Sequence, residues 1–530
     1  MPELTPARTP HIDEPVALSG REVVATWLVI LATTFGSLGF FYARGLTNLY
    51  GDGLAHMEGA RRIFDSLTPG YPEIGTVWLP LYHVLVAPLA VNDYLWRTGL
   101  GGSLVSTGAL ALTAWFVFRL SLEMSRSKAA AALGLAVFLI CPSMLYLASM
   151  PLTESLTLLW YVLAVYGLFR FQQAGRMRPL IFAAAAAFLG TLTRYDGWYL
   201  LPFATLFVFL VRRDLWLIRL RHAVVFAAIS GMGPLLWFAH NAYRFGNPLE
   251  FYNGPDSARA IYAHQVAATA FRYPTDGSLV LAARYYLADL VLVIGIWSLA
   301  LAFLGIAAWA ADRYDRARRS AVLLLLVPFV FYLNSLAYGA AALYVPTLFP
   351  HTYYDLRYGL EVLPGVAVFS SFLLSPALPR VRRFAVLAGI LVVVLAQSIS
   401  MVSPGINELP IVKESILNTP CRSRIQQALI GFLRAQYDGQ MLLLSRGRWP
   451  CVMPEVGIPF RNTVSELNKK YWVRLRREPH QVVEWIIRGD GDGVDQIMRA
   501  YPQAFARFEP VETIAFPGEG RVVVYRQRKP

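Results

Sequence analysis

Long apolar runs alternate with short basic connections along most of this chain, and that alternation limits what it can fold into. A run of roughly 20 apolar residues is the length that crosses a bilayer as an α-helix. Such runs occupy 22–42, 98–120, 129–149, 153–171, 177–193, 198–211, 222–240, 285–311, 320–344, 358–378 and 382–402. The reading is a polytopic α-helical membrane protein of about 11 transmembrane helices. The 530-residue chain is 56% hydrophobic and only 15% charged, too apolar for an ordinary soluble domain.

Arg119, Arg126 and Lys128 follow the second run, and Arg170, Arg176 and Arg178 follow the fourth. Arg212, Arg213, Arg219 and Arg221 follow the sixth. Arg313, Arg316, Arg318 and Arg319 follow the eighth, and Arg380, Arg382 and Arg383 follow the tenth. Every even-numbered run thus opens onto a short basic connection, which the positive-inside rule assigns to the cytoplasm together with the N-terminus. A formal charge of +14 distributed this way argues against a nucleic-acid partner.

The odd-numbered runs then open on the other side, through 43–97, 150–153, 194–197, 241–284 and 345–357, and the tail follows them there. The expected division is a cytoplasmic segment 1–21, a membrane domain 22–402 with a large first outer loop 43–97, and an extracytoplasmic region 403–530. In the tail, Arg424–Tyr437 and Val494–Tyr501 read as helical, and Met441–Ser445 and Arg521–Tyr525 as strands, giving a small α/β domain. The N-terminus lacks a basic leader and a small-residue cleavage site, so the first run is read as a retained span. Cys421 and Cys451 both fall in the tail, where a disulfide and two free thiols are both open.

The polar residues capable of chemistry gather on the outer side. Asp52 and His56 lie four apart in the first outer loop, which puts them on one face of a helix whose other side carries Met57, Ala60, Ile63 and Phe64. Asp52 suits a helix cap as well as a catalytic carboxylate. His83 ends Trp78-Leu79-Pro80-Leu81-Tyr82-His83, the return to the membrane. Glu154 follows Thr153 at a helix start, where the macrodipole favours an anion. Arg194-Tyr195-Asp196-Gly197-Trp198 makes an outer turn whose guanidinium either pairs with Asp196 or holds a phosphate. Asn247 sits in Phe245-Gly246-Asn247-Pro248, which is turn chemistry. Tyr353, Arg357 and Tyr358 enter the tenth run in a segment rich in tyrosine, as interfacial anchors or as a site for a lipid phosphate and its sugar. The run interiors carry few ionisable groups, so no proton relay is indicated; Asp289 and Glu361 lie near run ends.

Taken together and in order, these stretches resemble the GT-C class of membrane glycosyltransferases, and within it the protein O-mannosyltransferase-like, family 39-type enzymes. The resemblance runs through most of 40–365 and includes Leu192-Thr193 before Arg194 and Arg357-Tyr358 before Pro364. It implies a GT-C-like fold in the cytoplasmic (inner) membrane, with the active site and C-terminus outside. It implies a sugar donor on a polyprenyl phosphate and an acceptor hydroxyl on a protein, lipid or glycan. By the same resemblance Asp52 is the catalytic base, and Arg194 and Arg357 hold the donor phosphate. His56, His83, Glu154, Tyr195, Asp196, Asn247, Tyr353 and Tyr358 become sugar or acceptor contacts. Many relatives carry two adjacent acidic residues in this loop, whereas here Gly53 follows Asp52. A divalent metal near Asp52 is therefore left with an incomplete ligand set. The competing readings are a flippase of lipid-linked saccharides and a non-catalytic envelope assembly protein. A flippase would call for inverted halves, and the sequence shows no internal repeat.

Overall fold

The structure, a computed structural model, describes residues 16–312, 316–374 and 380–528. The expected segment 1–21 thus lies mostly outside the described residues, as does Arg313. Among the described residues each apolar run overlaps helical backbone, but the runs do not all become straight helices. Five helices are long and apolar enough to cross a membrane, or up to seven if each bent pair is one span, among the described residues. Lys128–Leu139 and Pro142–Ala148 bend by 65°, with proline opening the second piece. Leu279–Val293 and Ile296–Ala311 bend by 111° at Gly295, whose φ of +94° disfavours a side chain. Gln397 holds this break from a third helix. Its amide nitrogen donates to the Ile294 carbonyl at 3.0 Å, and its oxygen accepts from the Trp297 N–H at 2.7 Å. A long apolar run therefore reads as one span when a buried side chain has stitched two helices across a corner.

Elsewhere local chemistry sets the starts. Ser19 and Glu22 form a capping box ahead of Gly20–Ala43. The centre of the bundle is made by Leu100–Ser125, Lys128–Leu139, Glu154–Ala174 and Leu363–Ser371, whose apolar side chains are largely buried. Gly20–Ala43 and Val381–Val402 leave most of their apolar surface uncovered, as lipid-facing helices do. The two ends of the bundle differ in character. At one, Glu123 pairs with both Arg119 and Arg170, and Gln173 reaches the Arg318 carbonyl, so three of the basic connections meet. Glu154 begins the helix that carries Arg170, about 24 Å of helical rise away at the other end.

The tail forms one five-stranded sheet in the order β2-β1-β3-β5-β4: β1 Leu442–Leu443, β2 Thr463–Val464, β3 Trp485–Gly489, β4 Phe508–Phe516 and β5 Gly520–Gln527. β2, β1 and β3 run parallel, while β5 is antiparallel to both β3 and β4. Helices Arg424–Gln436 and Gly493–Ala500 accompany it. The tail is seated on the first loop. Arg97 donates to the Pro454 and Glu455 carbonyls at 2.7 and 3.1 Å, Arg446 lies 3.0 Å from Glu58, and Trp96 packs against Phe460. The helix Gly51–Arg62 is thus roofed by the tail, rather than lying along an open membrane surface.

Cys421 and Cys451 are joined in a disulfide that closes a 30-residue separation and ties the start of the tail to the segment resting on Arg97. Replacing both by serine should cost about 3–4 kcal/mol by loop-closure entropy. Thermal melting of the purified protein, with limited proteolysis of the tail, measures that loss.

Candidate active site

Helix Gly51–Arg62 begins at Tyr50 without a side-chain cap, so Asp52 does not serve as the cap its sequence suited. Standing in the first turn, it reaches across to the segment before Leu363–Ser371. Its Oδ2 lies 2.5 Å from Nη2 of Arg357. The two partners differ in access: the Asp52 side chain is 42% exposed and that of Arg357 only 8%. The carboxylate therefore forms the reachable face of the pair, and the guanidinium backs it. Burial opposes ionisation of Asp52, but the adjacent Arg357 outweighs it and holds the carboxyl below its usual range.

Arg357 is also gripped by Asp355, at 2.9 Å, and by Oε1 of Glu154, at 3.4 Å. The same Glu154 oxygen accepts from Nη1 of Arg194 at 2.9 Å. Arg194 in turn pairs with Asp196 at 3.0 Å and Glu361 at 3.3 Å, and donates to the Tyr332 hydroxyl at 3.1 Å. The Tyr332 hydroxyl donates to Glu361 at 2.6 Å, and that of Tyr358 to Asp355 at 3.1 Å. Residues from 52 to 361 thus form one continuous charged network. It sets five carboxyls against two guanidiniums, with Glu154 fully buried. Burial pushes the Asp355 carboxyl up, Arg357 opposing and Asp52 reinforcing the shift.

One turn beyond Asp52, His56 Nδ1 meets His83 Nε2 at 2.9 Å, and the His56 ring packs beside Trp78 at 4.5 Å. Burial pushes both imidazoles down to about 3, so both are neutral at physiological pH and share one N–H···N bond. The metal expectation meets a poor donor set here. The Asp52 carboxylate is taken by Arg357, His56 Nδ1 by His83, and no group of three or more metal-ligating side chains occurs among the described residues. These residues do not fit a divalent ion.

The structure therefore brings together Asp52, Glu154, Arg194, Asp196, Arg357 and Tyr358, with His56 and His83 beside them. Three other candidates point elsewhere. Tyr195 stacks on Phe251 at 5.2 Å and donates to the Val77 carbonyl at 2.8 Å, bracing the 75–80 return. Asn247 hydrogen-bonds within its own turn, to Glu250, Asn253 and the Leu249 N–H. Tyr353 faces the tail, with Lys413 5.9 Å above its ring. Asp355, Glu361 and Tyr332 were not candidates in the sequence, although an ionisable residue within an apolar run, as Glu361 is, signals a function by its cost.

No known family model matches the sequence, and no curated protein matches it. Among the solved structures that share the fold are two forms of one protein. The crystal structure of ArnT from Cupriavidus metallidurans bound to undecaprenyl phosphate aligns with a TM-score of 0.57 at 16% identity, covering 96% of this chain and 98% of that one. The apo form of the same protein aligns with a TM-score of 0.56 at 15% identity, covering 95% and 97%. At this identity the likeness shows the fold alone, a bundle with several helices long and apolar enough to cross a membrane, and the alignment includes the tail.

Glu154→Ala should remove the buried carboxylate that bridges Arg194 and Arg357 and destabilise the protein by about 1–3 kcal/mol. Melting in detergent, compared with Glu154→Gln, checks this, and the amide should recover only part of the loss.

Proposed function

We propose that this chain is an inverting glycosyltransferase that moves a sugar from a polyprenyl-phosphate donor to an acceptor hydroxyl outside the cytoplasm. The observation that carries the reading is the Asp52–Arg357 pair: a reachable carboxylate directly backed by a buried guanidinium. It stands in a fold shared with a protein solved with undecaprenyl phosphate. The basic connections meet at the opposite end of the bundle, which supports placing this end, the tail and the site outside, with the N-terminus inside.

In this reading the acceptor oxygen attacks the anomeric carbon from the face opposite the phosphate. Its proton passes to Asp52 as the bond to the phosphate oxygen breaks, and polyprenyl phosphate leaves with the electron pair. Arg357 holds Asp52 ionised before substrate arrives. An anionic phosphate drawn to the same guanidinium loosens that hold and raises the basicity of the carboxylate when it is needed. Arg357 then stabilises charge on the leaving phosphate. Arg194 acts through Glu154, its other donors being engaged by Asp196 and Tyr332. The neutral His56 and His83, with Tyr358, offer hydrogen bonds to sugar or acceptor without adding charge. The family 39-type resemblance makes mannose and a protein hydroxyl the first donor and acceptor to test.

Deleting the gene should make the lipid-linked donor accumulate, so that mass spectrometry of lipid extracts identifies its sugar, while one surface glycan disappears. Asp52→Asn, present at normal levels, should fail to restore that glycan and turn over the accumulated lipid about 10²–10⁴-fold more slowly. Full complementation by Asp52→Asn would sink the proposal. Turnover by the purified protein should be unchanged by a chelator of divalent metals, because no group of three metal-ligating side chains stands at Asp52 among the described residues.

A further inference from the structure

The segment carrying Arg357 is held from a part of the chain that the sequence places outside the membrane domain. Helix Pro410–Asn418 follows the last long helix and packs against the Leu356–Val362 turn. From it, Glu414 extends a buried carboxylate, 1% exposed, to two consecutive backbone N–H groups. Oε1 accepts from Asp355 N at 2.7 Å and Oε2 from Leu356 N at 3.1 Å. Asp355 has a φ of +54°, a left-handed conformation that residues with side chains rarely adopt. The backbone just ahead of Arg357 is thus clamped at an unusual angle by one carboxylate, with both oxygens used.

We propose that Glu414 is a positioning residue for the donor-phosphate site, fixing the 355–356 backbone so that the Arg357 guanidinium meets both Asp52 and an incoming polyprenyl phosphate. The inference rests on the glycosyltransferase reading above. It assigns a role to the start of the tail that neither Asp52 nor the arginines imply.

The clamp is tied to ionisation. Facing Glu414 are Asp355 and Arg357 from the turn, Tyr50 from the first loop, Asp289 from Leu279–Val293 and Tyr146 from Pro142–Ala148. Burial and the neighbouring Asp355 push its carboxyl up to about 7, Tyr50 and Arg357 opposing. A protonated carboxyl keeps one good acceptor and presents an O–H to the other backbone donor. The clamp therefore holds when Glu414 is ionised, above about 7, and loosens as pH falls through that value.

The test uses purified full-length protein in nanodiscs and undecaprenyl phosphate alone as probe, with its Kd measured from pH 5.5 to 8.5. Wild type should bind tightly at high pH and weaken through about 7. Glu414→Gln should bind about 10-fold or more weakly at pH 8, as misplaced contacts of this kind do. Its pH profile should keep only the phosphate's own second ionisation, near about 6. Glu414→Asp keeps the charge, so it should retain the step near 7 with intermediate affinity; it carries the test if the glutamine variant does not fold. Affinity and pH profile unchanged in the variants would overturn this inference alone. Tighter binding by Glu414→Gln would overturn it too, by showing that the charge repels the phosphate. No binding by wild type would overturn the functional reading and this inference with it.

Discussion

One carboxylate oxygen, Oε1 of Glu154, sits 2.9 Å from Arg194 and 3.4 Å from Arg357, and the arrangement of the site depends on that shared contact. Glu154 opens a helix packed in the centre of the bundle and is itself fully buried, so its position is fixed by packing. The two arginines approach it from segments about 160 residues apart in sequence. Without it they would be like charges brought close together in a poorly solvated place, which is unfavourable unless an anion lies between them.

The network also explains why Asp52 rather than another carboxyl is the reactive candidate. Among the five carboxyls around two guanidiniums, burial raises the one at Asp355. Asp52 is pushed the other way because Arg357 sits against it, and it alone is exposed enough to meet an acceptor. The pair His56–His83, kept neutral by burial, supplies polar contacts without disturbing that balance.

The tail is mechanically part of this centre. Arg446 reaches Glu58 on the helix that carries Asp52, and Glu414 grips the backbone next to Arg357. Both halves of the reactive pair are therefore braced by residues beyond position 402. The disulfide between Cys421 and Cys451 links the start of the tail, just after the Glu414 helix, to the segment resting on the loop. Such long-range bracing leaves little local trace, since neither Glu58 nor Glu414 belongs to any periodic pattern that marks it.

Hydrophobic length and basic spacing by themselves determined a membrane protein of many helices and gathered Asp52, Glu154, Arg194, Asp196 and Arg357 at one end, because insertion costs and loop charge are written locally along the chain. They read 285–311 as a single run, whereas it bends at Gly295, where Gln397 from another helix closes the corner, and composition does not show a corner. They proposed Asn247 and Tyr353 for the site on the strength of turn and interface chemistry, whereas packing turned these side chains to their own turn and to the tail. Only the tertiary structure decided that Glu154 bridges the arginines, that Asp355, Glu361 and Tyr332 complete the network, and that Glu414 holds the Arg357 segment. Each of those depends on which buried polar groups meet across long sequence separations, and burial must satisfy such groups with whatever partner the fold brings within reach.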